Sequence, residues 1–520
     1  VSQTNTEVVS RYKVQQIDDE PTVHTTKYET RVPHLNKIHI LILSLITSFF
    51  SVANPLFLDA ANGLQSQNLY IGMMLTKGQI PYSDVFTSGG MVYFFLIALS
   101  FYLGTSWWLV LIEGICFYLS GLYFYKLINY FTGHQKVASA FSLLFYLMIL
   151  IIGFGGLYPL QFVLPFVLIS LWFLTKYFAN LVKDEAFVLF GFAGALSMLV
   201  EPRTLIFWAL AIVAIIVFNI KERHFARGGY QLLAAIFGML LVFYTAGYFV
   251  LNLQILGPYL SQAVSYQFSY FRVGDLPLIV SFLVQLAFVF GLGLLTGMVN
   301  YFKNHRETSD HFIKWLLSAL ICIYAVLAIF SQDYATSVLL YVLPFGLVLT
   351  SIPIGKEYDR RLQTNSHRRG VKHSKGTWSI VKIYFAKHCY LPLIVLIVSL
   401  VMSGRTYLAN HNLHQSRHQV ASYLAKNVKN SQQIYVWDTS SQIYLESQKK
   451  VASQIASPSV NFKKNSHKKI LEDELLQDQA DFIVLNTTQK LPDRIKKIIR
   501  KKYKPVRSID VSSFRIYRKK

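Results

Sequence analysis

Apolar residues in this chain come in long unbroken runs, not in strict alternation or heptads. A helix rising about 1.5 Å per residue needs roughly 20 apolar residues to cross a bilayer. Runs of that kind lie near 38–56, 106–126, 137–155, 160–178, 187–203, 204–220, 230–252, 277–300, 314–331, 336–353 and 389–406, which predicts about eleven transmembrane helices. Two boundaries are read from punctuation, at Gly153, Gly155, Gly156 and Pro159 and again at Glu201, Pro202 and Arg203; both read as tight hairpins at the membrane edge. The stretch from Gly90 to Gly104 is apolar but about half a bilayer long, so it is expected to lie on the membrane surface.

Past residue 406 the long runs stop. "QQIYVW" and "DFIVLN" read as short buried strands, and 466–479 and 491–502 have the spacing of amphipathic helices. The predicted fold class is therefore an all-α polytopic membrane domain with a small carboxyl-terminal α/β domain. The expected division is a polar amino-terminal tail at 1–37, a multi-spanning domain at 38–406, and an α/β domain at 407–520. The spanning part includes a long loop at 57–105 and a basic one at 355–387.

Composition agrees: 53% hydrophobic residues, 15% charged and a mean hydropathy of +0.38 exclude both a soluble globule and a disordered chain. The net charge of +23 is strung between the apolar runs and not gathered on one soluble face, so no nucleic-acid partner is expected. Its distribution sets an orientation instead. One set of loops carries Arg11, Lys13, Lys27, Arg31, Lys37, Lys136, Lys176, Lys183, Lys221, Arg223, Arg227, Lys303, Arg306 and the basic 355–387 loop. The opposite short loops offer Lys77, Arg203 and Arg272. By the positive-inside rule the amino end is cytoplasmic and the α/β domain is extracytoplasmic, in a multi-pass plasma-membrane protein. The first 35 residues lack an apolar core, so the first apolar run is expected to act as the targeting signal. Cys116, Cys322 and Cys389 sit in or beside apolar runs and give no disulfide framework, and no histidine pair has metal-ligand spacing. No metal site is assigned, although a divalent cation is not excluded.

Chemistry concentrates in the 57–105 loop, "LDAANGLQSQNLYIGMMLTKGQIPYSDVFTSGGMVYFF". An acid just past the first span, Asp59, is followed by Gly78, Pro81, Tyr82, Asp84 and Phe86 and then by the surface helix. This arrangement resembles the first outer loop of the GT-C membrane glycosyltransferases, especially the protein-mannosyltransferase-like and aminoarabinose-transferase-like members. The tail phrases "IYVWDTSSQIYLESQ" and "ADFIVLNTT" are also similar to the carboxyl domain of that group. The resemblance implies a transferase that takes a sugar from a polyprenyl-phosphate donor on the outer face, with inversion. Its acceptor is a cell-envelope glycopolymer or lipid-linked glycan, and membrane lipids are its other partners.

Two departures stand out: Asp59-Ala60 where the group often has Asp-Glu, and Ser88-Gly89-Gly90 where it often has a lysine. The next outer loop, "GFGGLYPLQF", carries Gln161 where a second acid is common. That speaks against a metal-assisted mechanism, since a divalent ion prefers several oxygen ligands including carboxylates.

Attack by an acceptor hydroxyl needs a base, and a carboxylate at the water boundary supplies one. Asp59 is that candidate, the alternative being a cap that ends the first span. Asp84 is the second, with turn chemistry in P-Y-S-D as the alternative. Glu201 and Asp333 are outer-edge substitutes for the second acid; Glu201 equally suits a structural clamp with Arg203. The sparse outer Arg203 and Arg272 are candidates for the donor phosphate, with Tyr334 at the mouth of a late span, and Tyr82 and Gln161 as positioning residues. The aromatics around Arg272 and Tyr334 also fit an interfacial belt. A transporter or flippase of a lipid-linked saccharide, or a non-catalytic envelope-polymer accessory protein, are the other functions this sequence allows.

Overall fold

A computed structural model describes residues 31–269, 278–304, 310–330, 336–366, 376–458, 460, 465–477, 480–506 and 511–520 of the chain. It opens with α1 (His34–Phe49), α2 (Gly63–Leu75) and α3 (Met91–Tyr102). Six helices follow: α4 (Trp107–Thr132), α5 (Gln135–Ile152), α6 (Pro159–Tyr177), α7 (Ala186–Val200), α8 (Leu205–Lys221) and α9 (Phe225–Asn252). After short turns at Leu256–Tyr259, Leu260–Ser265 and Tyr266–Ser269 come α10 (Leu278–Gly291), α11 (Thr296–Lys303), α12 (His311–Phe330), α13 (Leu343–Ser366), α14 (Thr377–Lys387) and α15 (Leu391–Ala409).

Each of the eleven predicted runs overlaps a helix, but fewer are single apolar spans. Among the described residues seven helices are long and apolar enough to cross a membrane, or eight if the pair bent by 76° between Gly291 and Thr296 counts as one. The first and fifth runs form helices of only 16 and 15 residues. The tenth gives α13, whose second half is polar, after a 3-10 turn over Thr336–Tyr341. The reason is local: the Asn54 side chain takes the Phe49 carbonyl at the end of α1, and Glu201-Pro202 stops α7, because proline lacks the amide that would continue the helix and disfavours helical geometry in the residue before it. The chain is an integral multi-pass membrane protein. Its most enclosed span is α6, with 78% of its window buried, whereas 11% of α15 is buried, so α15 presents its apolar side to lipid.

The 12-residue α3 covers about 18 Å, too little to cross a bilayer. It is seated through Gly90, where an added Cβ would lie 2.1 Å from the Leu199 carbonyl oxygen.

Past α15, α16 (His411–Asn427) leads into β1 (Gln433–Trp437), α17 (Gln442–Ser447), β2 (Lys450–Val451), α18 (Asn465–Leu476), β3 (Phe482–Asn486), α19 (Asp493–Lys502), β4 (Tyr503–Pro505) and β5 (Phe514–Lys519). The predicted strands are β1 and β3, and the predicted helices are α18 and α19. The strands form one mixed sheet in the order β2-β1-β3-β5-β4, with β2, β1 and β3 parallel and β5 antiparallel to β3 and β4. Its β2 edge rests on α2: the Tyr70 hydroxyl accepts from the Val451 amide (2.9 Å) and donates to the Lys449 carbonyl (3.1 Å). Ser66 accepts from the Ser441 amide and bonds the Ser440 hydroxyl, so two buried polar side chains of α2, Ser66 and Tyr70, are engaged by the α/β domain.

Candidate functional site

Asp59 lies in a 3-10 turn, Pro55–Ala60, fixed at both ends. Upstream, the Asn54 amide donates to the last carbonyls of α1 at Phe49 (2.9 Å) while its Oδ1 accepts from the Leu56 amide (3.0 Å). Downstream, Asn62 and Gln65 form a reciprocal capping box that starts α2. Gln65 also donates to the Phe154 and Gly156 carbonyls, and Asn62 to the Tyr158 hydroxyl, tying the turn to the hairpin between α5 and α6.

Asp59 is met by side chains of the α/β domain. Its carboxylate accepts from Gln442 Nε2 at 2.5 Å and lies 3.0 Å from His418 Nε2. The other imidazole nitrogen is 2.8 Å from Glu446, and Gln442 reaches the same glutamate at 2.7 Å. Two carboxylates are thus bridged by one imidazole and one amide, with Asp59 still 32% exposed. Burial lowers the proton affinity of His418, but the Glu446 and Asp59 carboxylates on either side outweigh it and leave the pKa above its ordinary value. Burial and the Arg417 charge push His414, one turn earlier, down. Asp59, His418 and Glu446 bring their ligand atoms within 4.8 Å of one another. With two oxygens and one nitrogen, they are the one group among the described residues with a spacing that suits a metal ion.

Beside Asp59 opens a cavity of about 560 Å³. It is lined both by polar groups, among them Asn62, His414, Arg417, Thr439 and Ser440, and by apolar ones, among them Ile151, Ile152, Phe288, Val398 and Met402. Arg417 is held by Asp438 through two bonds, Nε to Oδ2 at 2.7 Å and Nη2 to Oδ1 at 3.1 Å, and also donates to Thr439.

Other candidates fall elsewhere. Glu201 is buried and accepts from the Arg203 amide, Nε (2.9 Å) and Nη2 (3.2 Å), so it forms the clamp, and Arg203 stacks over Tyr341. Neither residue lines the cavity. Asp84 is exposed and closes its own turn, accepting from the Ile80 amide at 2.8 Å. Tyr82, in left-handed geometry, is buried with its hydroxyl on the Gly89 carbonyl. Gln161 is buried and caps α6, accepting from the Tyr158 amide at 3.0 Å. Arg272, Asp333 and Tyr334 lie outside the described residues.

The sequence reading passed over His414, Arg417, His418, Gln442 and Glu446. The signal was present: "HNLHQSRH" places His414, Arg417 and His418 three and four residues apart, hence on one face of a helix that starts where the last span ends.

Solved structures share this architecture. ArnT from Cupriavidus metallidurans bound to undecaprenyl phosphate superposes with a TM-score of 0.57 at 10% identity, covering 93% of this chain and 98% of that one. The same protein in the apo state gives 0.50 at 12% identity, covering 93% and 97%. The archaeal oligosaccharyltransferase AglB from Archaeoglobus fulgidus, in complex with an inhibitory peptide and a dolichol-phosphate, gives 0.46 at 11% identity over 86% and 69%. The fold is that of the GT-C membrane glycosyltransferases. No curated protein sequence matches significantly. Family models for the competence-induced protein Ccs4 match twice, the N-terminal domain over residues 25–411 and the C-terminal domain over 414–520. The chain is a member of the competence-induced Ccs4 family.

Proposed function

We propose that this protein is an outer-face glycosyltransferase using a polyprenyl-phosphate sugar, with Asp59 as its base. The observation that carries the reading is the placement of a carboxylate, about one-third exposed, on a cavity lined by both polar and apolar groups. Such a cavity suits a donor whose prenyl chain is apolar and whose phosphate is charged. The prenyl end would lie along Ile151, Phe288, Val398 and Met402, and the phosphate would face His414 and Arg417. In the reaction the acceptor hydroxyl gives its proton to Asp59 and its oxygen bonds the anomeric carbon. The bond from that carbon to the phosphate oxygen breaks, polyprenyl phosphate leaves, and the configuration inverts.

Gln442 and His418 hold the Asp59 carboxylate in place, so the α/β domain completes the site. Fold similarity to a protein crystallised with undecaprenyl phosphate supports this choice of donor class. The amino end is cytoplasmic and the α/β domain outside in this reading, and Arg272 and Tyr334 remain proposed donor contacts. The test is purified protein in nanodiscs supplied with a panel of undecaprenyl-phosphate sugars. We expect saturable binding of undecaprenyl phosphate and release of it from one of those sugars. Binding without turnover across the panel and envelope-glycan acceptors would point to a transporter or accessory role.

A further inference from the structure

A second concave site lies on the α/β domain. Connections leave the carboxyl ends of β1 and β3 in opposite directions, to β2 on one side and towards β4 on the other. Sheets of this kind bind ligands in the crevice opened where neighbouring connections diverge. Here the crevice is a pocket of about 360 Å³. Trp437, Pro458 and Pro492 give it flat apolar walls, and Lys468 and Lys490 stand exposed at its rim. Glu472 also borders it, but Arg494 engages that carboxylate at 3.1 Å. Flat apolar faces take sugar rings, and the rim cations select negative charge.

Two more observations fix the ligand class. Thr439 borders both this pocket and the Asp59 cavity, and it is anchored between them by Arg417 and by its own amide on Asp438 (2.7 Å). The surrounding domain is strongly basic: residues 407–520 hold 22 of the 50 Lys and Arg but 9 of the 27 Asp and Glu. From the pocket, α19 continues with Lys496, Lys497, Arg500 and Lys501 exposed over buried isoleucines.

We propose that this pocket and the α19 face bind an anionic glycan chain and deliver its end past Thr439 to Asp59. Calling that chain the acceptor rests on the transferase reading; the binding itself does not. A bilayer surface is the weaker match, because it is flat whereas the pocket is concave. The β4 edge beside α19 also lies four strand spacings, roughly 19 Å, from the β2 edge that rests on the outer-loop helix.

The test uses full-length protein in nanodiscs of zwitterionic lipid. Fluorescence anisotropy is read with labelled oligogalacturonate, a labelled glycerol-phosphate oligomer and neutral maltooligosaccharide of similar length. We expect the anionic oligomers to bind, more weakly as salt rises, and the neutral one not to. Lys468→Glu/Lys490→Glu should weaken binding at least tenfold and Lys496→Glu/Lys497→Glu several-fold, with melting temperature and undecaprenyl-phosphate binding unchanged. If one anionic oligomer binds and the other does not, the charged group of the glycan is identified. Equal binding of the neutral oligomer, or no effect of either double variant, overturns the proposal. So does binding confined to anionic vesicles, which would make the surface a membrane contact. Loss of donor turnover alongside intact glycan binding would remove the transferase reading and leave this site standing.

Discussion

Two acid-base pairs sit next to helix ends in this protein, and they differ in what is left over. Glu201 is met by an arginine two residues away, is buried, and has both oxygens engaged. Asp59 is met by His418 and Gln442 from a domain more than 350 residues later, stays about one-third exposed and borders a cavity. The first pair has the geometry of a structural clamp, complete in itself. The second is a carboxylate held in a fixed direction but still reachable. A charged residue near the end of a span is therefore informative only once its partners are known.

The largest effect that would sharpen this contrast is at Asp59. Removing a general base typically costs about 10² to 10⁴ in rate. Asp59→Asn is nearly isosteric, so turnover should fall by roughly that factor while the melting temperature holds. Near-normal turnover in a purified assay would remove Asp59 from the chemistry and favour a binding or transport role. Arg203→Gln should act differently. It leaves Glu201 as a buried carboxylate without its cation, which costs about 3–5 kcal/mol, seen as a lower melting temperature. Glu201→Gln in the same chain should restore most of it. An unshifted melting temperature together with a raised donor KM would instead make Arg203 a phosphate ligand and break the distinction.

Much of the fold was legible because burial patterns are local. The spans follow from runs of apolar residues, and β1 and β3 from two short apolar segments between polar ones. Among the described residues fewer helices have the full length of a span, since the first run is helical only over 16 residues and Glu201-Pro202 ends the fifth after 15, which hydropathy alone does not show. Asp59 stands out in the sequence as a candidate from its position after the first span. Its partners do not, because a contact between residues 59 and 442 depends on how the α/β domain seats on α2. Gln161, expected as a positioning residue where a second acid is common, caps α6 with its side chain, a role that its spacing after Tyr158 does not announce.

His418 gives a smaller and pH-dependent handle. Asp59 and Glu446 face it from the turn and from α17, and His414 and Arg417 share its helix. Its folded pKa is raised, so the stabilising charge pairing is fully present below about 6.5, the unfolded value, and is lost as pH climbs through the raised value. Docking of the α/β domain should loosen over that window. Turnover should rise over the same window, because Asp59 is a better base once the imidazolium beside it is neutral. His418→Gln should flatten both profiles and hold turnover near the high-pH level of the wild type, because the side chain beside Asp59 is then neutral at every pH. A wild-type profile that survives in His418→Gln would place the titration on another group.

Asp84 should give the smallest effect, and it is the sharpest control because it shares residue type and loop with Asp59. Its Oδ2 accepts from the Ile80 amide, and its own amide donates to the Ile80 carbonyl at 2.9 Å, so side chain and backbone close one turn. An asparagine keeps an acceptor oxygen in the same place and should change neither turnover nor melting temperature measurably. Alanine removes the acceptor, but the Ile80 amide is at an exposed site where water can replace it, so the cost should stay near 1 kcal/mol in stability. Turnover should be untouched in both variants, since Asp84 does not border the Asp59 cavity. A loss of tenfold or more in Asp84→Asn with an unchanged melting temperature would mean that this carboxylate meets the acceptor, and that exposure in a turn does not separate structural from reactive acids in this loop.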